Sequence, residues 1–179
     1  AIADDVGLSS SQNEQDSRYW GRFAHVPVFE PADSQEAYAM TRAAFDFSET
    51  TRLPVLLRLT TRLAHSRAKV VADPPRPPNP LNPASDRRQW VLLPAHARRN
   101  WADRLAREPE ILRLAESLPG TQFFPGPDRT LGILAAGLAF HYLLECFPEG
   151  CPHPVLKVGR YPISPALLAQ LRDACDTLL

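Results

Sequence analysis

Short apolar runs alternate with helix-spaced apolar positions along residues 1–60. The pattern predicts strands at residues 1–5, 26–29 and 55–59, and the last is a nearly continuous apolar run typical of a parallel strand covered on both faces. Between the second and third strands, apolar side chains recur at the spacing of a helix: Ala37, Met40, Ala44 and Phe47. Strands and helices in this order predict a parallel α/β sheet.

Two capping patterns mark predicted helix starts. Ser11 is followed three residues later by Glu14, and Asp33 is followed in the same way by Glu36. The helix expected after Ser11 would carry an apolar stripe of aromatic side chains: Tyr19, Trp20 and Phe23.

The middle of the chain consists of a proline-rich segment followed by a segment with a helical pattern. Residues 74–83 are dense in proline, which predicts a semi-rigid extended linker, with a recognition peptide for a proline-binding domain as the alternative. Residues 93–118 are strongly helical in pattern, and Pro109 predicts a kink or two shorter helices there.

A second strand–helix series follows the linker. Strands are expected at residues 131–136 and 155–159, with a helix over residues 139–144 between them. Pro165 suits the first turn of a terminal helix. The series is typical of the start of another α/β unit.

Composition narrows the function classes. The 20 basic and 20 acidic side chains cancel, so no long-range field recruits nucleic acid or an anionic membrane. No segment approaches the roughly 20 apolar residues of a membrane span. Cys146, Cys151 and Cys175 complete no metal-ligand set and suit the free thiols of a cytoplasmic protein. A first strand that begins at the N-terminus, with no initiator Met, leads us to expect an internal piece of a longer polypeptide.

A polar run at residues 9–18 follows the first predicted strand, at the edge of an α/β sheet where ligands bind. Arg18 could hold a carboxylate through two parallel hydrogen bonds, or it could pair with Glu14 or Asp16. Five side chains before it could line a pocket, or serve only as caps and loop contacts: Ser9, Ser10, Ser11, Gln12 and Asn13. The alternatives stay open on these residues alone.

Several strings in the chain resemble one family. They lie at residues 3–5, 10–19, 27–31, 33–37 and 53–58, with a weaker match at 156–162. Together they resemble the large subunits of indolepyruvate ferredoxin oxidoreductases, within the thiamine-diphosphate-dependent 2-oxoacid oxidoreductases. The string at 10–19 is the most specific, because no generic helix cap requires all of its residues.

The resemblance implies a division of the chain. Residues 1–70 would be the C-terminal half of a pyrimidine-binding domain with a parallel sheet, and residues 71–118 a proline-rich linker and helical connection. Residues 119–179 would open a transketolase-C-terminal-like domain. Arg18 stands where related enzymes hold the substrate carboxylate.

The resemblance also implies partners and cofactors. The parent enzyme would oxidatively decarboxylate an aryl 2-oxo acid to an acyl-coenzyme A and reduce ferredoxin, using thiamine diphosphate, Mg²⁺ and iron–sulfur clusters. It would include the remaining domains of the subunit and a smaller partner subunit. The family's catalytic glutamate, Mg²⁺–diphosphate motif and cluster cysteines have no counterpart in this chain. We therefore expect this piece to be inactive alone and to hold no cofactor completely. The alternative is a non-catalytic α/β assembly module.

The histidines add little. His65 follows the third predicted strand and could titrate near neutral pH, although a loop or interface position is the simpler interpretation. No role is assigned to the others: His25, His96, His141 and His153.

Overall fold

The computed structural model describes residues 1–83 and 85–179. The strands are β1 (Ile2–Asp4), β2 (Val28–Phe29), β3 (Leu56–Thr60), β4 (Gln122–Phe124), β5 (Ile133–Ala136), β6 (Val155–Val158) and β7 (Arg160–Tyr161). The α-helices are α1 (Arg18–Ala24), α2 (Ser34–Thr51), α3 (Thr61–His65), α4 (Pro94–Ala106), α5 (Glu108–Glu116), α6 (Ala139–Cys146) and α7 (Pro165–Asp173). Short 3₁₀ helices lie at Val6–Leu8 and Arg87–Gln89. Each of these helices is too short or too polar to span a lipid bilayer.

The first sheet has the strand order β1-β3-β2-β7. Strand β3 lies between β1 and β2 and is parallel to both, with Asp4 opposite Thr60 and Phe29 opposite Leu57. The three parallel strands predicted from the apolar runs are therefore confirmed, and their carboxyl ends meet at one edge. Strand β7 joins β2 in antiparallel register, with Val28 opposite Tyr161. This pairing brings a late segment of the chain into the first sheet, which the sequence pattern did not indicate.

The second sheet has the order β4-β6-β5. Strand β6 pairs in parallel with β5 and in antiparallel with β4, so the sheet is mixed. The predicted strands and helices of this region are present, whereas β4 was missed. Its core consists of two apolar clusters: Ile133, Ala135, Phe140 and Val155 in one, Leu156, Val158 and Leu171 in the other.

The two sheets are joined through the short step from β6 to β7. Only Gly159 separates these strands, and its carbonyl accepts a hydrogen bond of 2.8 Å from the backbone N–H of Glu30. Next to this step, Lys157 forms an ion pair with Glu36 on α2. The fold is thus α/β with mixed sheets. Its assignment to pyrimidine-type and transketolase-C-terminal-like domains, with the boundaries given above, stays a prediction.

Helix α1 begins at Arg18, so the helix start predicted at Ser11 is wrong. The Asp5 carboxylate accepts hydrogen bonds from the backbone N–H groups of Ser10 and Ser11. Glu14 accepts instead from the N–H of Gly7, at 2.6 Å. In this segment, hydrogen bonds between side chains and nearby backbone groups form in place of the backbone hydrogen bonds of a helix.

The aromatic residues of α1 do not form a core stripe. Tyr19, Trp20 and Phe23 are 71%, 64% and 81% exposed in this chain. The helix contacts the sheet through Gly21, where an added Cβ would lie 2.1 Å from a methyl carbon of Val28. Close approach of the helix to β2 therefore requires glycine at this position.

The second capping pattern is confirmed. Asp33 accepts a hydrogen bond of 2.8 Å from the N–H of Glu36, and Glu36 reaches back to the N–H of Ala32 at 2.9 Å. Helix α2 then buries Met40 and Phe47, two of the side chains predicted from helical spacing. Both the predicted cap and the predicted apolar face of α2 are therefore present in the structure.

The proline-rich linker contains neither helix nor strand between residues 66 and 83. It runs along α2, where Val71 exchanges two backbone hydrogen bonds with the Gln35 side chain and Arg76 pairs with Asp46 at 2.7 Å. Beyond it, α4 and α5 are separated at Arg107, and Pro109 lies in the first turn of α5. The predicted division into two shorter helices is confirmed.

Candidate functional site

Three buried charged side chains meet where the parallel strands end. Asp4 closes β1, Glu30 follows β2, and Arg58 lies in β3 between them. Arg58 Nε lies 2.6 Å from Asp4 Oδ2 and Arg58 Nη1 lies 2.5 Å from Glu30 Oε1. The three side chains are only 2–4% exposed. A buried guanidinium is tolerated because two carboxylates neutralise it and accept its hydrogen bonds.

Asp4 also anchors the segment that enters α1. Its Oδ2 atom accepts hydrogen bonds from Ser17, from the backbone N–H at 2.7 Å and from the hydroxyl at 2.9 Å. Burial raises the pKa of Asp4, but the hydrogen bonds from Ser17 and Arg58 more than offset burial and hold it below its ordinary value. The ionised carboxylate therefore fixes the start of α1 against β1.

The loop with the candidate pocket residues is organised by Asp5. Besides the two serine N–H groups, this carboxylate accepts a hydrogen bond of 3.0 Å from the Thr61 hydroxyl. Burial raises the pKa of Asp5, yet the hydrogen bonds from Ser10, Ser11 and Thr61 bring it down to about 2. The loop is thus tied to the carboxyl edge of β1 and the start of α3.

Within this loop the candidate residues lie together at the sheet edge. Ser11 is half-buried. The other four are exposed: Ser9, Ser10, Gln12 and Asn13. The Ser9 hydroxyl donates to the carbonyl of Val6 at 3.0 Å, and the Ser11 hydroxyl donates to that of Asn13 at 2.9 Å. Both serine hydroxyls therefore stabilise the loop itself. Their role as pocket residues stays a prediction.

Arg18 opens α1 and forms a bidentate ion pair with Asp16. Arg18 Nε lies 2.7 Å from Oδ1 and Nη2 lies 2.6 Å from Oδ2. The hydrogen bonds to Asp16 raise the pKa of Arg18 against the opposing effect of burial. The Tyr161 ring lies on another side, with its centroid 6.0 Å from the guanidinium carbon. Asp16 is the intramolecular partner named as the alternative above, and the pair uses Nε and Nη2 of the guanidinium.

A cavity of about 700 Å³ opens beside Arg18. It lies between α1, α5 and the turn after β7, and its size is within the range of small-molecule sites. Apolar side chains line much of it: Ile111, Leu112, Ala115, Ile163 and Leu168. Tyr161, Arg104 and Glu108 also line it. An anionic group at Arg18 would therefore have an apolar compartment next to it.

Tyr161 and α5 were missed as site components. They lie far from Arg18 in sequence, and only the weak family match at residues 156–162 pointed toward Tyr161. Burial and the negative charge of Glu30 raise the pKa of the Tyr161 hydroxyl above its ordinary value. The hydroxyl and Glu30 Oε2 are both buried.

The histidines are distributed over the molecule. His65 is exposed at the end of α3, and His25 ends α1 beside the cavity, with its ring 4.9 Å from that of Trp101. His141 pairs with Asp33 at 3.1 Å and His153 with Asp128 at 3.5 Å. These contacts are structural.

Residues 1–83 and 85–179 contain no group of three or more His, Cys, Asp or Glu side chains placed to hold a metal ion. The thiols of Cys146, Cys151 and Cys175 are free. The amides of Ser10 and Ser11 are already engaged by Asp5.

The protein is of the α/β class, and its parallel strands, polar loop and Arg18 meet at the carboxyl edge of the sheet, which makes this edge a candidate ligand site. No protein-family profile matches the chain. The chain is 39% identical over 181 residues to the indolepyruvate oxidoreductase subunit IorA of Methanothermobacter thermautotrophicus, and 36% identical over 182 residues to that of Methanothermobacter marburgensis. It is 34% identical over 189 residues to the IorA subunit of Thermococcus kodakarensis.

Each of these matches covers 99% of the chain and 29% of the relative. The chain is similar to these IorA subunits over a segment that spans less than a third of their length. The resemblance stated from the motifs is confirmed.

Proposed function

We propose that this chain is part of an oxidoreductase subunit that oxidatively decarboxylates aryl 2-oxo acids of the indolepyruvate type to acyl-coenzyme A, with thiamine diphosphate as cofactor and ferredoxin as electron acceptor. The proposal is supported by relatives that are named as indolepyruvate oxidoreductase subunits and match 99% of the chain. A non-catalytic assembly module is not favoured, because these relatives are named as parts of an enzyme.

The chain's own contribution to that reaction is carboxylate recognition by Arg18. The observation that carries this role is that its guanidinium lines the cavity, next to the Asp16 carboxylate with which it is paired. A guanidinium presents more than one edge to planar anions. Asp16 accepts hydrogen bonds from Nε and Nη2. We propose that the carboxylate of the substrate binds at the edge that includes Nη1.

We propose that the cofactor is held largely outside this chain. The remaining domains of the subunit would hold the Mg²⁺–diphosphate end of thiamine diphosphate. The same applies to the iron–sulfur clusters, for which the three cysteines do not form a ligand set. The smaller partner subunit, coenzyme A and ferredoxin would complete the enzyme, which we place in the cytoplasm.

The test is Arg18→Ala in the whole enzyme. Loss of a charge-assisted bidentate contact removes roughly 2–4 kcal/mol. At about 1.4 kcal/mol per tenfold, kcat/KM for the 2-oxo acid should fall roughly 30- to 1,000-fold, mainly through KM. Arg18→Lys should recover part of this, because an ammonium cannot form two parallel bonds. Steady-state kinetics would measure both, with the exposed Arg113→Ala as the matched control.

The opposite result is equally clear. If Arg18 serves only the ion pair with Asp16, Arg18→Ala would lower the melting temperature and leave KM unchanged. That combination would refute substrate binding by Arg18.

A further inference from the structure

We propose that α5 forms the wall that binds the substrate's side chain, and that Leu112 and Ala115 select 2-oxo acids with a bulky apolar side chain. This inference rests on the proposed role of Arg18. It assigns the specificity of the site to a helix that the motifs at residues 9–18 do not include.

The polarity of the cavity matches such a substrate. Three arginines line it, Arg18, Arg22 and Arg104, and they outnumber the two carboxylates on the lining, those of Asp16 and Glu108. The aliphatic side chains of α5 supply an apolar surface nearby. A 2-oxo acid with an aryl group likewise has a carboxylate at one end and an apolar body at the other. A cavity of about 700 Å³ has room for both parts, because small-molecule sites commonly measure about 300–1,000 Å³.

Leu112 and Ala115 share a face of α5 because they are three residues apart. Ile111 beside them is 4% exposed and anchors the helix in the interior. Leu112 and Ala115 are only half-buried, so their side chains lie at the cavity surface. A larger residue at position 115 would therefore take space from the cavity.

The wall is held at both ends. Just before α5, Arg107 Nη2 donates to the carbonyl of Thr51 at 3.0 Å. At the end of α5, Glu116 accepts a hydrogen bond of 2.7 Å from the Ser164 hydroxyl. A surface fixed in this way can discriminate by shape, since it cannot move aside without breaking these contacts.

The experiment measures kcat/KM of the whole enzyme for phenylpyruvate and for 2-oxobutyrate. The series Ala115→Val, Ala115→Leu and Ala115→Phe should lower the value for phenylpyruvate progressively, by about tenfold or more at the largest residue. The value for 2-oxobutyrate should stay within about twofold, because a short side chain does not reach the wall.

Two further variants separate cavity filling from damage to the fold. Adding Leu112→Ala to Ala115→Phe should restore part of the phenylpyruvate activity, because it returns space to the cavity. Ala102→Phe, on the exposed surface of α4, should leave the selectivity unchanged. Thermal melts of all variants accompany the kinetics. If Ala115→Phe unfolds, Ala115→Val and Ala115→Leu provide the same comparison.

Equal losses for both substrates, or no loss for either, would overturn the assignment of α5. In that case, a raised KM in Arg18→Ala would show that carboxylate recognition still holds. An unchanged KM in Arg18→Ala would show that the proposed function itself has failed.

Discussion

The two sheets differ in how much charge they bury. The first buries a guanidinium and two carboxylates, those of Arg58, Asp4 and Glu30, at 2–4% exposure, beside apolar side chains such as Phe29. The second buries mainly apolar side chains, such as Leu156, and its buried Lys157 pairs with Glu36 on α2. Apolar packing stabilises without demanding exact partners, whereas a buried ion cluster is costly to desolvate and requires them.

The two sheets contribute to the candidate site in different ways. The charged interior of the first sheet continues through Asp16, which lies 3.9 Å from Arg58, to Arg18 at the cavity. The apolar second sheet holds β6, and β6 leads directly into β7 and its Tyr161. The first sheet thus positions the charged side chains next to the cavity, and the second sheet positions β7, which carries Tyr161.

The largest effect should come from breaking the ion cluster. Arg58→Ala leaves two carboxylates buried without their cation and should lower the free energy of unfolding by about 3–5 kcal/mol. Chemical denaturation at pH 7 would measure the loss, with the exposed Arg67→Ala as a control. A loss of less than about 1 kcal/mol would mean that the cluster is not needed for stability.

The corresponding change in the apolar sheet is Leu156→Ala. Leu156 is fully buried in β6, and its truncation should cost about 3 kcal/mol through lost burial and a residual cavity. Since no charge is involved, denaturation should give the same loss at pH 5 and pH 8. A loss that changes markedly with pH would contradict the contrast between the two sheets.

The smallest effect is expected where α2 meets α6, in the variant Asp33→Ala, since Asp33 caps α2 and pairs with His141 of α6. Burial raises the pKa of Asp33, but the N–H of Glu36 and the His141 side chain lower it below the ordinary 3.8. The stabilisation is therefore present above pH 3.8 and is lost as the pH falls through the lower folded-state pKa. Loss of this helix cap should cost about 1 kcal/mol at pH 7.

Denaturation of Asp33→Ala and the parent chain at pH 7 and in acid would test this. The difference between them should shrink in acid, because the carboxyl is then protonated in both the folded and the unfolded chain. Asp33→Asn keeps a capping oxygen and should recover most of the loss at pH 7. If the difference in the free energy of unfolding grew in acid, the Asp33 carboxylate would not be what stabilises the start of α2.

Local patterns identified most of the fold. The apolar runs located β1, β2 and β3, and a cap with helical spacing located α2, because each signal lies within a few neighbouring residues. Strand β4 and the two-residue β7 were missed because very short strands carry little pattern of their own. The start of α1 was placed too early, since Ser11 and Glu14 suit a cap locally but bond to other groups in the folded loop.

By itself, the sequence determined the α/β class, the family resemblance and the polar segment with Arg18, because periodicity and motifs are properties of adjacent residues. Only the tertiary structure decided what surrounds Arg18: Asp16 on one edge, the ring of Tyr161 on another side, and the α5 cavity beside it. Asp16 is a sequence neighbour that the polar run already offered as a partner, whereas Tyr161 and α5 come from distant parts of the chain. Strand register and helix packing bring them together, and neither can be obtained from local spacing.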